Sequence, residues 1–175
     1  MENNADILKE IKQFLAKIDI VVKEGKVMSN PFLRGVEIRN GELIYDPEKL
    51  MFPGDLLHEA GHIAIAPPDT RQTLQNDVAK FGQGPAEEMA AIAWSWAALT
   101  AIGLAPSIVF HKDGYKGESP NIIKAFSEGF GFGYPMLSYW RMCEPLGEHP
   151  LSFPNMRVWL RQPSITPSLN TRNLM

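Results

Sequence analysis

Apolar residues recur at Ile7, Leu8, Ile11, Phe14, Leu15 and Ile18, with charged residues between them. That spacing is helical with one apolar stripe, and it predicts a helix over residues 4–18. Ile20 to Val22 reads as a short strand. From Val36 to Tyr45 the pattern changes to alternation on both sides of Asn40-Gly41. Asn-Gly favours the positive φ angles of a type I′ turn, so this segment predicts a β-hairpin. A second helical pattern starts at Asp55, which follows Pro53-Gly54 and can serve as an N-cap. Leu56, Leu57, Ala60, Ile63 and Ala64 give that helix an apolar face, and Pro67-Pro68 stops it.

Residues 67–85 are polar and rich in turn formers, a connection long enough to be functional or mobile. Pro85 suits the first turn of a further helix, which runs to about Leu104. Within it, Met89 to Ala105 is almost free of charge. A membrane span and a helix buried on all sides by protein give the same pattern. The short length and the absence of basic flanks favour the buried helix. Phe110 to Gly117 is a loop with glycines at its bends. Ser119 is placed to cap a helix opened by Pro120, and Gly129 to Gly133 breaks it. A helix over Pro135–Met142 and one turn at Met156–Leu160 complete the expectation. A single domain over 1–162 and a polar tail over 163–175 follow.

Composition narrows the function classes. The chain has 175 residues, 45% of them hydrophobic and 21% charged, which fits one globular domain. Its formal net charge of −3 makes no electrostatic case for nucleic acid or an anionic membrane as partner. Cys143 is the only cysteine, so there is no intramolecular disulfide and no thiolate cluster to take a metal. The stretch Met1 to Lys9 is polar and acidic, unlike a secretory signal, and a cytoplasmic location is expected.

The chemistry is concentrated in His58-Glu59-Ala60-Gly61-His62. Residues four apart on a helix lie one above the other, so the two imidazoles converge. They suit two ligands of one tetrahedral zinc. Glu59 stands beside that face, where a carboxylate can accept a proton from water. The chain holds four histidines, and two of them flank this glutamate. A catalytic zinc takes three protein ligands, and the third must come from elsewhere. Ile65 and Pro68 stand where a Gly and a His would continue the motif in metzincins, which excludes that class. Asp69 is one residue out of register for an aspartate ligand. Glu87 and Glu88, at the start of the next helix, are better placed to supply a carboxylate. Both can also simply complement the helix dipole.

With these residues in place, the stretch from Asp55 to Trp96 resembles the gluzincins, zinc peptidases that combine H-E-x-x-H with a downstream glutamate. It also resembles a group of small bacterial proteins that carry H-E-A-G-H. The Glu-x-x-Ala pattern of several bacterial branches fits both Glu87 with Ala90 and Glu88 with Ala91. Glu88 places Trp94 at the aromatic position and is preferred. The resemblance implies an α+β fold class: a small, mostly helical zincin-like domain with a short antiparallel hairpin before the active-site helix. It implies one Zn2+ per chain, a peptide or protein substrate, and Glu59 as general base. The alternative is a metal-binding regulatory or interaction protein on the same fold, without turnover. The Asp or Asn usual four residues after the glutamate ligand is absent; Ala91 or Ile92 stands there. Support for the ligand histidines must therefore come from other residues. His111 and Tyr115 are the preferred donors to a developing oxyanion, ahead of Tyr134 and Tyr139. His149 reads as a surface residue, and Phe130, Phe132 and Tyr134 as mostly core. The strand Glu42–Tyr45 is the expected sheet edge for an added substrate strand.

Overall fold

The computed structural model describes residues 3–28 and 35–164, an α+β arrangement of five α-helices and a three-stranded sheet among those residues. Residues 165–175, most of the expected polar tail, lie outside them. Helix α1 (Asn4–Lys17) begins where the Asn3 side chain accepts from the Asp6 amide at 2.9 Å. Its buried stripe is Ile7, Ile11 and Leu15, the periodicity the pattern predicts. Strand β1 (Val22–Glu24) follows two residues later than expected.

Strands β2 (Val36–Arg39) and β3 (Glu42–Tyr45) form the predicted antiparallel hairpin. Asn40 and Gly41 both have positive φ, 53° and 71°, as a type I′ turn requires. The strand order is β1-β3-β2, with β1 parallel to β3. This corrects the expectation that Glu42–Tyr45 is a sheet edge: β3 is central, because β1 returns beside it. The outer side of β2 is also partly occupied. The Ile38 amide donates to Asn76 Oδ1 at 3.1 Å, and Arg39 forms an antiparallel bridge with Gln75.

Helix α2 (Asp55–Ile65) is buried along its whole length. Its N-cap is Gly54, and Asp55 is the first helical residue, with no side-chain cap bond. A Cβ on Gly54 would lie 2.0 Å from the Ile108 carbonyl oxygen, so the closeness of the two backbone segments demands glycine there. At the other end, free carbonyls of a buried helix need donors. Arg71 donates to the carbonyls of Ile63 and Ala66, at 3.1 and 3.0 Å. The Arg161 amide donates to Ala64 at 2.9 Å. The two Arg71 bonds are charge-assisted and contribute about 1.5–3 kcal/mol each.

Helix α3 (Pro85–Ile102) packs along α2 and has buried residues on all sides from Ala90 to Leu99. Among the described residues, no helix is long and apolar enough to cross a membrane. The α2–α3 contact is close because small residues line it. A Cβ on Gly61 would lie 2.8 Å from the Ala91 carbonyl oxygen. The Ser95 hydroxyl shares its proton between the Ala91 carbonyl of its own helix, at 2.8 Å, and the Leu57 carbonyl across the seam, at 3.2 Å. The sheet, α1, α2 and α3 share one apolar core that includes Leu43, Leu57 and Trp94.

Helix α4 (Ser119–Ser127) and the short helix α5 (Tyr134–Tyr139) complete the fold. Ser119 does not cap α4. It is the first helical residue, and its hydroxyl donates to the His111 carbonyl at 2.7 Å. The stretch Met156–Leu160 makes no helical turn. It runs as a strap whose Trp159 carbonyl accepts from Trp94 Nε1 at 2.9 Å.

Candidate metal centre

Helix α2 carries His58 and His62 one turn apart on the face turned toward α3. Their Nε2 atoms lie 3.3 Å from each other. Glu88, in the first turn of α3, completes a triangle: Oε2 is 3.2 Å from His62 Nε2, and Oε1 is 3.6 Å from His58 Nε2. Zinc–nitrogen bonds of about 2.0–2.1 Å imply edges of about 3.3 Å between donors on a tetrahedron. The three observed separations, two of them to different oxygens of the one carboxylate, lie near that edge. The histidines are buried, and the Glu88 side chain is 47% exposed, so solvent reaches the cluster from the α3 side.

The outer nitrogens of both rings are held by residues that the motif does not contain. Gln83 Nε2 donates to the His62 carbonyl at 2.8 Å, which places its Oε1 2.8 Å from His62 Nδ1. An amide oxygen only accepts, so Nδ1 carries the proton and Nε2 presents a lone pair to the cluster. On His58, Tyr115 Oη lies 3.2 Å from Nδ1. With the Nδ1 proton given to Tyr115, His58 Nε2 is also a bare lone pair. In these neutral tautomers three acceptors face one point, which either a proton on His62 Nε2 bonded to Glu88 or a bound cation satisfies.

Charge follows the same geometry. Burial, reinforced by His62, lowers the His58 pKa to about 4, against the pull of Glu88, so the ring is neutral at pH 7. Burial also disfavours the charged form of His62. The bond to Glu88, the charges of Glu59 and Glu88, and Gln83 outweigh it and raise the pKa. Glu88 moves the other way, down, because the two histidines overcome its burial. Glu59 is fully inside the protein. Burial raises its pKa to about 7 against the pull of His62, with Glu88 and Asp55 adding to the rise. A carboxyl poised near neutrality can both accept and return a proton.

The other candidates fall in different places. Glu87 turns away from the histidines, and its Oε2 accepts from the Gly84 amide at 2.9 Å as a capping box. Asp69 is exposed and stands outside the cluster. His111 reaches α2, but its Nε2 donates to Asp55 Oδ1 at 2.9 Å and its Nδ1 is buried. It therefore offers no open donor to an oxyanion, a correction to its expected role. Tyr115 is brought to the cluster, where its hydroxyl meets His58 instead of open space. Tyr134 stacks on Phe153 at 5.3 Å, and Tyr139 is exposed. His149 is exposed, as expected. Phe132 packs on Phe126, whereas Phe130 is 77% exposed and not part of the core.

No protein-family model matches the chain, and neither a curated protein nor a solved structure gives a match. The gluzincin resemblance therefore rests on the residues from Asp55 to Trp96.

Gln83 and Asp55 are the site residues that sequence reasoning missed as partners. Gln83 sits between Gly82 and Gly84 in the long connection, where nothing distinguishes its amide from a surface one. Asp55 has the appearance of a cap, and its real partner is 56 residues away.

Proposed function

We propose that the chain is a zinc-dependent hydrolase of peptide bonds, with His58, His62 and Glu88 as metal ligands and Glu59 as general base. The observation that carries this reading is the triangle of donors at 3.2–3.6 Å, its ring nitrogens oriented by Gln83 and Tyr115. Two imidazoles and one carboxylate are a donor set that suits zinc better than hard cations such as magnesium or calcium. Bound zinc supplies a Lewis acid that acidifies water and polarises a carbonyl.

The chain's own residues account for the proton movements. Glu59 takes a proton from the attacking water as it adds to the carbonyl carbon. It then delivers that proton to the nitrogen of the leaving amine as the C–N bond breaks. Gln83 and Tyr115 keep each ligand ring in one tautomer and one orientation through the cycle. The exposed side of Glu88 is the entry for a peptide or protein substrate. A cytoplasmic setting belongs to the same reading, supported by a single cysteine, Cys143, that is buried.

Glu59→Gln tests the reading. Gln preserves the shape but accepts no proton, so the variant retains about one zinc per chain and loses hydrolysis by on the order of 100- to 10,000-fold. Wild type and variant, both metal-loaded, are compared on a peptide library. Equal cleavage by both refutes Glu59 as base. A wild-type chain that keeps no zinc after dialysis against it refutes the site. Zinc binding without any cleavage across the library supports the alternative, a metal-binding protein without turnover.

A further inference from the structure

We infer that Asp55 and His111 form a latch that holds Tyr115 against His58, making His111 a positioning residue for a metal ligand 53 positions away in sequence. The inference rests on the metal reading above. Four observations carry it.

First, the His111–Asp55 bond is short, 2.9 Å, and both side chains are at most one-tenth exposed. A buried carboxylate needs its donor, so breaking this bond is costly and the loop is tied to the first turn of α2. Second, the His111 ring is held by two neighbours. Phe52 stacks on it at 3.7 Å between centroids and 10° between planes. Gly114 also approaches the ring closely, and a Cβ there would sit 3.1 Å from the ring Cε1. Third, the His111 carbonyl accepts from Ser119 Oγ at 2.7 Å, so the loop is anchored to α4 as well. Fourth, Tyr115 and Lys116 both have φ in the left-handed region, 54° and 53°. Non-glycine residues hold that conformation only where surrounding contacts enforce it, and such strain gathers at functional sites.

The parts fit one purpose. Tyr115 comes four positions after His111, and the left-handed backbone at Tyr115 and Lys116 turns the phenol toward α2. There the Tyr115 ring meets the His58 ring edge-on, 5.5 Å between centroids, and its hydroxyl reaches Nδ1. Asp55 and His58 are one turn apart on the same helix. One loop is therefore pinned at Asp55 and acts at His58.

The test compares wild type, His111→Leu, His111→Gln, Tyr115→Phe and the double variant His111→Leu/Tyr115→Phe. Zinc affinity is read by chelator competition, and the His58 ring by 1H–15N correlation spectra of the zinc-loaded protein. Losing Tyr115 from the ligand's hydrogen bond is expected to weaken zinc by about tenfold or more. His111→Leu is expected to match that loss and to shift the His58 Nδ1–H signal in the same direction. The double variant then loses no more than either single one, because both act through one contact. His111→Gln, which keeps a donor for Asp55, recovers most of the affinity. If His111→Leu does not fold, Gly114→Ala presses on the same ring and gives the same readouts. Additive losses, or wild-type affinity and an unmoved His58 signal in His111→Leu or Gly114→Ala, overturn the latch while the metal site stands. A wild-type chain that binds no zinc overturns the metal reading and the latch with it.

Discussion

Gly61 of α2 and Ala91 of α3 meet backbone to backbone: a side-chain carbon on Gly61 would lie 2.8 Å from the Ala91 carbonyl oxygen. That contact sets the distance between the two helices that carry the three candidate ligands. His62 follows Gly61 by one residue, and Glu88 lies one turn before Ala91. The glycine inside the motif is thus part of the geometry of the candidate metal centre.

Gly61→Ala is expected to separate the helices at this point. Forcing a methyl into a packed seam costs about 1–3 kcal/mol. For a chain of this size that lowers the melting temperature by roughly 2–4 °C per kcal/mol. Zinc affinity should fall by more than tenfold, because Glu88 moves away from both Nε2 atoms. Thermal denaturation with and without zinc, together with chelator competition, checks both effects. Undiminished zinc affinity would show that the seam does not set the ligand spacing.

The neighbouring glutamates should behave differently. Glu88→Ala removes a donor and is expected to weaken zinc by on the order of tenfold or more. Glu87→Ala removes the capping bond to the Gly84 amide and is expected to cost about 1 kcal/mol of stability while leaving one zinc per chain. Metal analysis and denaturant melts on the two variants separate the roles. Loss of metal from Glu87→Ala alone would reverse the assignment.

Gln83→Ala should loosen His62 without touching the metal directly. The ring then loses the acceptor that fixes its Nδ1 proton, and zinc affinity is expected to drop 10- to 100-fold. The carbonyl of His62 also loses its donor, so a modest fall in stability accompanies it. Competition titration with a chromophoric chelator measures the first, and calorimetry the second. A variant with wild-type affinity would leave His62 oriented by something other than Gln83.

In the metal-free protein, Glu59 makes stability depend on pH. Its folded pKa, about 7, lies above the ordinary 4.5, so the folded chain holds the proton more tightly than the unfolded chain. That contribution is complete below about pH 4.5 and disappears as pH rises through 7, a change on the order of 3 kcal/mol. Glu59→Gln carries no such proton. After chelation, the variant should therefore gain on wild type in urea melts between pH 4.5 and 8. A constant difference over that range would show that Glu59 does not titrate in the fold.

Local patterns account for much of the architecture. The stripe of Ile7, Ile11 and Leu15 and the alternation around Asn40-Gly41 specify their elements through neighbours a few residues away. The same holds for the proline that opens α3. The spacing of His58 and His62 is legible for the same reason, since one helical turn alone brings them together. The preference for Glu88 over Glu87 rests instead on the gluzincin-like pattern, in which Glu88 places Trp94 at the aromatic position.

What the pattern could not contain is pairing over distance. Whether β3 lies at an edge depends on where β1 returns, and β1 pairs through backbone groups that every residue possesses. Asp55 resembles a cap until the loop carrying His111 arrives to claim its carboxylate. Gln83 resembles any surface amide until the long connection folds back over His62. The sequence by itself determined the helices, the hairpin and the two-histidine face, because each is a matter of short-range periodicity. Only the tertiary structure decided the 3.3 Å separation of the ring nitrogens, their outer partners and the approach of Glu88. Those depend on the backbone contact between Gly61 and Ala91 and on side chains that meet across loops, where packing and not periodicity sets the distances.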